Sequence, residues 1–186
     1  MGFYDRYILP KLMHWVCSHA DITREREKIV PLAKGKILEV GIGSGLNLPF
    51  YDPSKVDRIW GLDPSCPLKK IAEKKAREMS FDVNFIGLSG EEIPLEKNFI
   101  DTVVVTYTLC SIPDVLKALN EIWNNSASIR KRYKGNWSSL ETSYIENQSK
   151  FANRYRGTRF LGKGLDVATK IAFAFTIGGD YGGIMI

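Results

Sequence analysis

A glycine-rich turn that follows a short apolar run limits the folds open to this chain. Residues 36–40 (KILEV) predict a buried strand, and Gly41, Gly43 and Gly45 come directly after it. Glycine lacks a Cβ, so a ligand can approach the main chain of such a turn closely. The turn favours a nucleotide-like ligand, although dehydrogenases, kinases and plain tight turns carry similar glycines.

Apolar stretches alternate with amphipathic ones along the following part of the chain. Further strands are predicted at residues 56–62, 83–86 and 101–107, and helices at residues 65–79 and 113–123. The first of these helices has Leu68, Ile71 and Ala72 on its inner face. Strands that alternate with helices indicate right-handed βαβ units. We therefore predict an α/β fold, with a Rossmann-like, mostly parallel sheet and helices on both of its faces.

The first residues of the chain predict a helical cap. Tyr4, Ile8, Leu12 and Trp15 recur at helical spacing, and a second helix is predicted to end near Leu32. The apolar face of the cap either covers the ligand pocket or makes a peripheral contact with a membrane surface. Lys and Arg do not dominate its polar face as an anionic interface would require, which favours packing over the pocket.

The formal net charge of +5 belongs to the C-terminal part of the chain. Residues 1–123 contain 16 Lys and Arg against 17 Asp and Glu, whereas residues 124–186 contain 10 against 4. A basic face spread over a whole fold would indicate nucleic acid. Charge confined to one segment indicates only a solvated segment or an acidic contact. No nucleic-acid partner is therefore expected.

Neither a metal site nor a disulfide framework is expected. Cys17, Cys66 and Cys110 are scattered without CxxC spacing, and His14 and His19 are the two histidines. An apolar content of 44% suffices for one ordinary globular core. Charged residues interrupt the apolar runs near the start, so no signal peptide or membrane span is predicted. The expected location is the cytoplasm.

Polar residues follow the other predicted strands. Asp63 ends the second strand, where a carboxylate can accept hydrogen bonds from both hydroxyls of a ribose, although an aspartate there also suits the start of a helix. Ser89, Gly90 and Glu91 form a polar turn after the third strand, where an adenine can lie against backbone groups. Because the carboxyl ends of parallel strands form one crevice, these features and the glycine turn predict one shared pocket.

Four motifs occur in a fixed order in the first two thirds of the chain. They are ILEVGIGSGLNLP at residues 37–49, GLDPS at 61–65, GEEIPL at 90–95 and VTYTLCSIPD at 105–114. In this order they resemble class I S-adenosylmethionine-dependent methyltransferases. Within this family, the chain resembles the branch that includes small-molecule and thiol methyltransferase-like proteins. That branch is similar to the quinone-biosynthesis methyltransferases. A Gly-x-Gly-x-Gly spacing, in place of Gly-x-Gly-x-x-Gly, also favours methyl transfer over a dinucleotide cofactor.

The resemblance implies S-adenosylmethionine as the cofactor and a small molecule as the methyl acceptor. Glu39 and Gly41 would face the amino-acid part of the cofactor, and Gly43 and Gly45 would let the backbone pass close to it. These four residues lie in the first motif. They would therefore hold the end of the cofactor that carries the methyl group.

The remaining expected cofactor-binding residues come from the later motifs. Asp63 with Pro64 would hold the ribose, residues 89–91 would flank the adenine, and Thr106 would close the pocket under the methionine moiety. No catalytic residue is assigned. Cys110 is more simply a small buried thiol than a nucleophile, and the two histidines are surface or packing groups.

The resemblance covers residues 1–123, the expected cofactor-binding region with its N-terminal cap, and stops there. The family continues with an Arg-Val-Leu-x-Pro-Gly-Gly-like turn and a fifth strand, whereas this chain has NNSASIRKR at residues 124–132. One set of permitted codons for residues 127–132, read one base later, encodes Arg-Val-Leu-Glu-Lys-Gly. The basic, atypical tail over residues 124–186 is either a frameshifted end or a diverged one that packs in its own way, and not an independent domain. A fold that is incomplete or irregular after residue 123 is expected.

Three functions are open at this point. The first is an S-adenosylmethionine-dependent methyltransferase that acts on a small molecule by in-line transfer. The second is a catalytically defective, cofactor-binding relative with an aberrant C-terminus. The third is a nicotinamide-dependent oxidoreductase, which a glycine turn after a strand also allows.

Overall fold

A computed structural model describes residues 20–106, 108–132, 134–138 and 184–185. The predicted cap over residues 3–19, with His14, His19 and Cys17, lies outside the described residues, as does most of the tail. Helices and strands follow in the order α1 (Ala20–Ile29), β1 (Gly35–Val40), β2 (Val56–Leu62), α2 (Cys66–Ala76), β3 (Val83–Ile86), β4 (Thr102–Val105), α3 (Val115–Asn125), α4 (Ala127–Arg132) and β5 (Ile184–Met185). None of the helices in the described part of the chain is long and apolar enough to cross a membrane.

The strands form one sheet in the order β3-β2-β1-β4-β5, and every pairing is parallel. The predicted parallel sheet is therefore confirmed. Val40 at the end of β1 pairs with Leu62 on one side and with Val105 on the other, and Leu62 pairs with Ile86. Because these four strands end level with one another, the loops that follow them are neighbours. The chain continues from β1 to β2 on one side and reaches β4 on the other, which opens a crevice at the end of β1.

Side chains of β1 point alternately to two separate apolar clusters. Leu38 and Val40 belong to the cluster that contains Leu119 of α3. Ile37 belongs to the cluster on the opposite face, against which Ala76 at the end of α2 packs. Helices therefore cover both faces of the sheet, as predicted, and β1 is buried on both sides.

The change of composition at residue 124 is not the end of the packed structure. Ile100 donates its backbone N–H to the carbonyl of Asn125 at 3.2 Å, and Ile129 of α4 is fully buried in the same cluster as α3. The rings of Trp123 and Trp137 meet edge to face at 5.8 Å. The two-residue strand β5 pairs with β4 and covers part of the edge of β4 that faces away from β1.

Candidate active site

The turn after β1 has the backbone that its glycines predict. Gly41, Gly43 and Gly45 have φ values of +77°, +54° and +69°, which side chains with a Cβ rarely adopt. A Cβ on Gly41 would lie 2.5 Å from the Cβ of Thr108, closer than atoms approach in folded proteins. Gly41 is thus required by the close approach of the loop after β4.

The other two glycines of the turn have different surroundings. A Cβ on Gly45 would lie 2.8 Å from Leu48 Cδ1 and 3.3 Å from the backbone of Ala72, so this glycine is needed for packing against α2. A Cβ on Gly43 would have its nearest neighbours at 3.9 Å, one of which is a carboxylate oxygen of Asp63. Of the three, Gly43 is the glycine at which an added Cβ would make only ordinary van der Waals contacts, one of them with a polar group. A ligand approach at Gly43 stays a prediction, and the structure gives Gly45 a packing role.

Asp63 joins the ends of β2 and β1. Its Oδ2 accepts a hydrogen bond from the Gly43 N–H at 3.0 Å, and its Oδ1 accepts one from the Ser65 N–H at 2.8 Å. Burial raises the pKa of this carboxyl above its ordinary value, while the two backbone donors work in the opposite direction. Asp63 thus bonds the residue that precedes α2, whereas the N-cap position of this helix is Ser65 and not Asp63. Each carboxylate oxygen keeps a further lone pair that can accept a ligand hydroxyl, and Pro64 beside it is exposed.

Glu39 is a buried carboxyl at the floor of the crevice, with 1% of its surface exposed. Its Oε2 accepts a hydrogen bond from the Tyr51 hydroxyl at 2.8 Å, and its Oε1 accepts one from the Asn47 amide at 2.9 Å. Burial raises the pKa of Glu39 to about 7, against the hydrogen bonds from Tyr51 and Asn47 and the positive charge of Arg26, which lower it. The nearby Asp63 also raises it. The side chain is thus poised between its neutral and charged forms near neutral pH.

Asn47 is the residue that links these groups and that the sequence motifs did not single out. Its Nδ2 donates to Glu39 and also to Thr106 Oγ1, each at 2.9 Å, and its Oδ1 accepts from the Arg26 Nε at 2.9 Å. Asn47 and Arg26 are both buried. An asparagine inside the otherwise apolar run after Gly45 was the available signal, because a buried amide needs partners.

The turn after β3 is tied to the start of α3. Ser89 Oγ donates to Glu91 Oε2 at 2.9 Å, and the Asp114 N–H donates to Glu91 Oε1 at 2.9 Å. A Cβ on Gly90 would lie 3.0 Å from Val40 Cγ1, so the turn packs directly against the end of β1. Both carboxylate oxygens of Glu91 are thus engaged within the protein, and Gly90 is buried.

The loop after β4 contributes two hydroxyls. Thr108 Oγ1 donates to the carbonyl oxygens of Thr106 and Gly41 at 3.3 and 3.4 Å, and Thr106 accepts from Asn47. Cys110 lies in the short 3-10 turn Leu109–Ser111, and its side chain is outside the described part. Within the described residues, no group of three or more His, Cys, Asp or Glu side chains is placed to hold a metal ion.

The predicted site residues therefore meet at one edge of the sheet. Hydrogen bonds connect Glu39 to Thr106 through Asn47, and Asp63 to the glycine turn. The turn after β3 completes this edge. The arrangement brings carboxylates, hydroxyls and a half-buried glycine backbone together. It contains no nucleophile–base pair among the groups described here.

Comparisons with known proteins match this region. Residues 38–125 match the family model described as a methyltransferase domain. A mitochondrial methyltransferase of Saccharomyces cerevisiae is 32% identical over 52% of this chain and 24% of its own length. A human thiol S-methyltransferase is 34% identical over 48% of this chain and 38% of its own length. The chain thus spans less than half the length of these relatives.

Solved structures have the same fold. An S-adenosylmethionine-dependent methyltransferase from Aquifex aeolicus aligns with 63% of this chain and 66% of its own, with a TM-score of 0.52 and 18% identity. The family match confirms the resemblance to methyltransferases that the four motifs carry. It favours that interpretation over the oxidoreductase that a glycine turn also allows.

Proposed function

We propose that this chain, whose residues 38–125 match a methyltransferase domain, binds S-adenosylmethionine and methylates a small-molecule acceptor. One observation carries the proposal: two buried or half-buried carboxyls, Glu39 and Asp63, stand near the ends of the adjacent strands β1 and β2, and Asp63 accepts a hydrogen bond from the Gly43 N–H. An amino acid and a ribose on one ligand need such a pair.

The residues present fit this cofactor. Asp63 retains acceptor capacity for the two ribose hydroxyls. Glu39 in its charged form suits the ammonium group of the methionine part. Between them, the space beside Gly43 is one that a Cβ would begin to fill. The adenine is assigned to the turn at residues 89–91, and Asn47 bonds both Glu39 and Thr106.

The cofactor itself supplies the reactive sulfonium methyl group. The residues of this chain bind and orient it, and oriented proximity accounts for up to about 7 to 11 kcal/mol of a barrier in well-aligned reactions. No side chain is assigned as acid or base. A thiol is the first acceptor to test, because a human relative is a thiol S-methyltransferase.

Calorimetry with S-adenosylmethionine on the 186-residue chain, followed by transfer of a labelled methyl group to thiol, amine and phenol acceptors, tests the proposal. Asp63→Ala is expected to weaken binding roughly 10- to 100-fold, because a hydrogen bond to a charged group contributes about 1.5 to 3 kcal/mol. Asp82→Ala is the matched control, since Asp82 is an exposed aspartate paired with Arg58 away from the site. Equal affinity in both variants would contradict the assignment of Asp63 to the cofactor pocket. Binding without transfer to any acceptor would favour the defective relative.

Gly43→Val is expected to abolish measurable binding while the protein remains folded. The added side chain would occupy the position beside Asp63 that is assigned to the cofactor, and a positive φ costs about 1 to 2 kcal/mol per residue. Gly135→Val is the control, because Gly135 has a φ of +73° with no atom within 4 Å of an added Cβ. It introduces similar backbone strain outside the site. Unchanged affinity in folded Gly43→Val would contradict the assigned position of the cofactor.

A further inference from the structure

We propose that Asn47 is a positioning residue that holds Glu39 and Thr106 in the arrangement that receives the amino-acid part of the cofactor and links them to α1. The inference rests on the proposed binding of S-adenosylmethionine. Asn47 is assigned no contact with the reacting atoms. Its proposed effect on binding is transmitted through Glu39.

The geometry of the Asn47 side chain supports this role. Its amide joins three separate elements: β1 through Glu39, the loop after β4 through Thr106, and α1 through Arg26, each at 2.9 Å. β1 and β4 border the crevice where ligands bind in open parallel sheets. An uncharged side chain with two N–H donors and one strong acceptor is needed for all three bonds, and asparagine provides it at this length.

Burial makes the arrangement sensitive to the loss of any partner. Asn47 is 2% exposed, Glu39 1% and Arg26 5%, so water cannot replace a missing bond without rearrangement. The charged or titratable groups that act on Glu39 are Tyr51 after the turn, Arg26 of α1 and Asp63 after β2. Asn47 donates to the Glu39 carboxylate and therefore favours its charged form, which is the form that attracts an ammonium group.

Two variants test the proposal with S-adenosylhomocysteine as the probe, because it carries the same ammonium group. Asn47→Leu removes all three bonds and keeps the branched shape of the side chain. Asn47→Asp keeps an acceptor for Arg26 and places a second carboxylate beside Glu39. This variant still tests the proposal if the leucine variant does not fold. Asn84→Leu is the control, since Asn84 is exposed on β3 away from the site.

Both Asn47 variants are expected to bind the probe more weakly, and the loss is expected to be about five- to tenfold larger at pH 6 than at pH 9. A rise of about one unit in the pKa of Glu39 makes its charged form about tenfold rarer below that pKa and changes it little well above. Dividing by the affinity of the wild type at each pH cancels titration of the probe itself. Equal losses at both pH values, or a loss as large in Asn84→Leu, would overturn the positioning role.

A second measurement separates this inference from the proposed function. Titration of the Glu39 carboxyl by carbon NMR in the protein alone is expected to give a higher pKa in Asn47→Asp than in the wild type. An unchanged pKa overturns the inference even if the cofactor binds. A wild type that binds neither the cofactor nor the probe contradicts the proposed function, while the NMR titration still reports whether Asn47 controls Glu39.

Discussion

Gly41→Ala is expected to lower the free energy of unfolding by about 2 to 5 kcal/mol, because backbone strain and a steric clash act together. Gly41 has a φ of +77°, and its added Cβ would overlap the Cβ and branches of Thr108. The Thr108 hydroxyl is bonded to the carbonyls of Gly41 and Thr106, so the loop cannot move away without losing these bonds. Urea unfolding followed by circular dichroism measures the change.

Two other glycines separate the causes of this loss. Gly135→Ala introduces a positive φ of +73° into open space and is expected to cost only about 1 to 2 kcal/mol. Gly87 has no positive φ and no neighbour within 4 Å of an added Cβ, so Gly87→Ala is expected to change stability by less than about 0.5 kcal/mol. If Gly41→Ala and Gly135→Ala cost the same, the contact with Thr108 does not constrain the turn.

The stability of the protein is expected to fall as the pH rises from about 4.5 to about 7, and Glu39 is the main cause. Its pKa is raised by burial from 4.5 to about 7, so within this range the folded state binds the proton that the unfolded state releases. A carboxyl with a raised pKa in the folded state therefore costs stability once both states are ionised. The difference corresponds to about 3 kcal/mol above pH 7 and vanishes below the pKa of the unfolded state.

Glu39→Gln removes this titration and keeps the shape of the side chain. As the pH rises from 4.5 to 8, the unfolding free energy of the variant minus that of the wild type is expected to increase by about 3 kcal/mol. Taking the difference from the wild type cancels Asp63, whose raised pKa acts in the same direction. Asp52→Asn is the control: the pKa of this exposed carboxyl is lowered to about 2, so its contribution is lost only in stronger acid. A wild type and a glutamine variant with parallel pH profiles would refute the assignment to Glu39.

Local patterns predicted the elements of the fold well. The strands Val56–Leu62 and Val83–Ile86 agree with the predicted ranges, and β4 is shorter than the predicted 101–107. Runs of β-branched and apolar residues bounded by polar turns are determined by neighbours along the chain, which is why they can be recognised without a structure. The inner face of α2 was less predictable. Ile71 fits the helical period but is 43% exposed, since α2 makes its closest approach through Ala72 at Gly45.

The sequence by itself indicated that a glycine turn and Asp63 follow successive parallel strands, because strands that alternate with helices form βαβ units. Only the tertiary structure decided what each of these residues does. Gly41 avoids a clash with Thr108, Gly45 avoids one with Leu48 and α2, and Gly43 alone of the three would place a Cβ in ordinary contact only. These roles depend on atoms far away in the chain, as do the bonds of Asn47 to Arg26 and Thr106. Such contacts exist only after the sheet has assembled, and a residue's own neighbours along the chain carry no record of them.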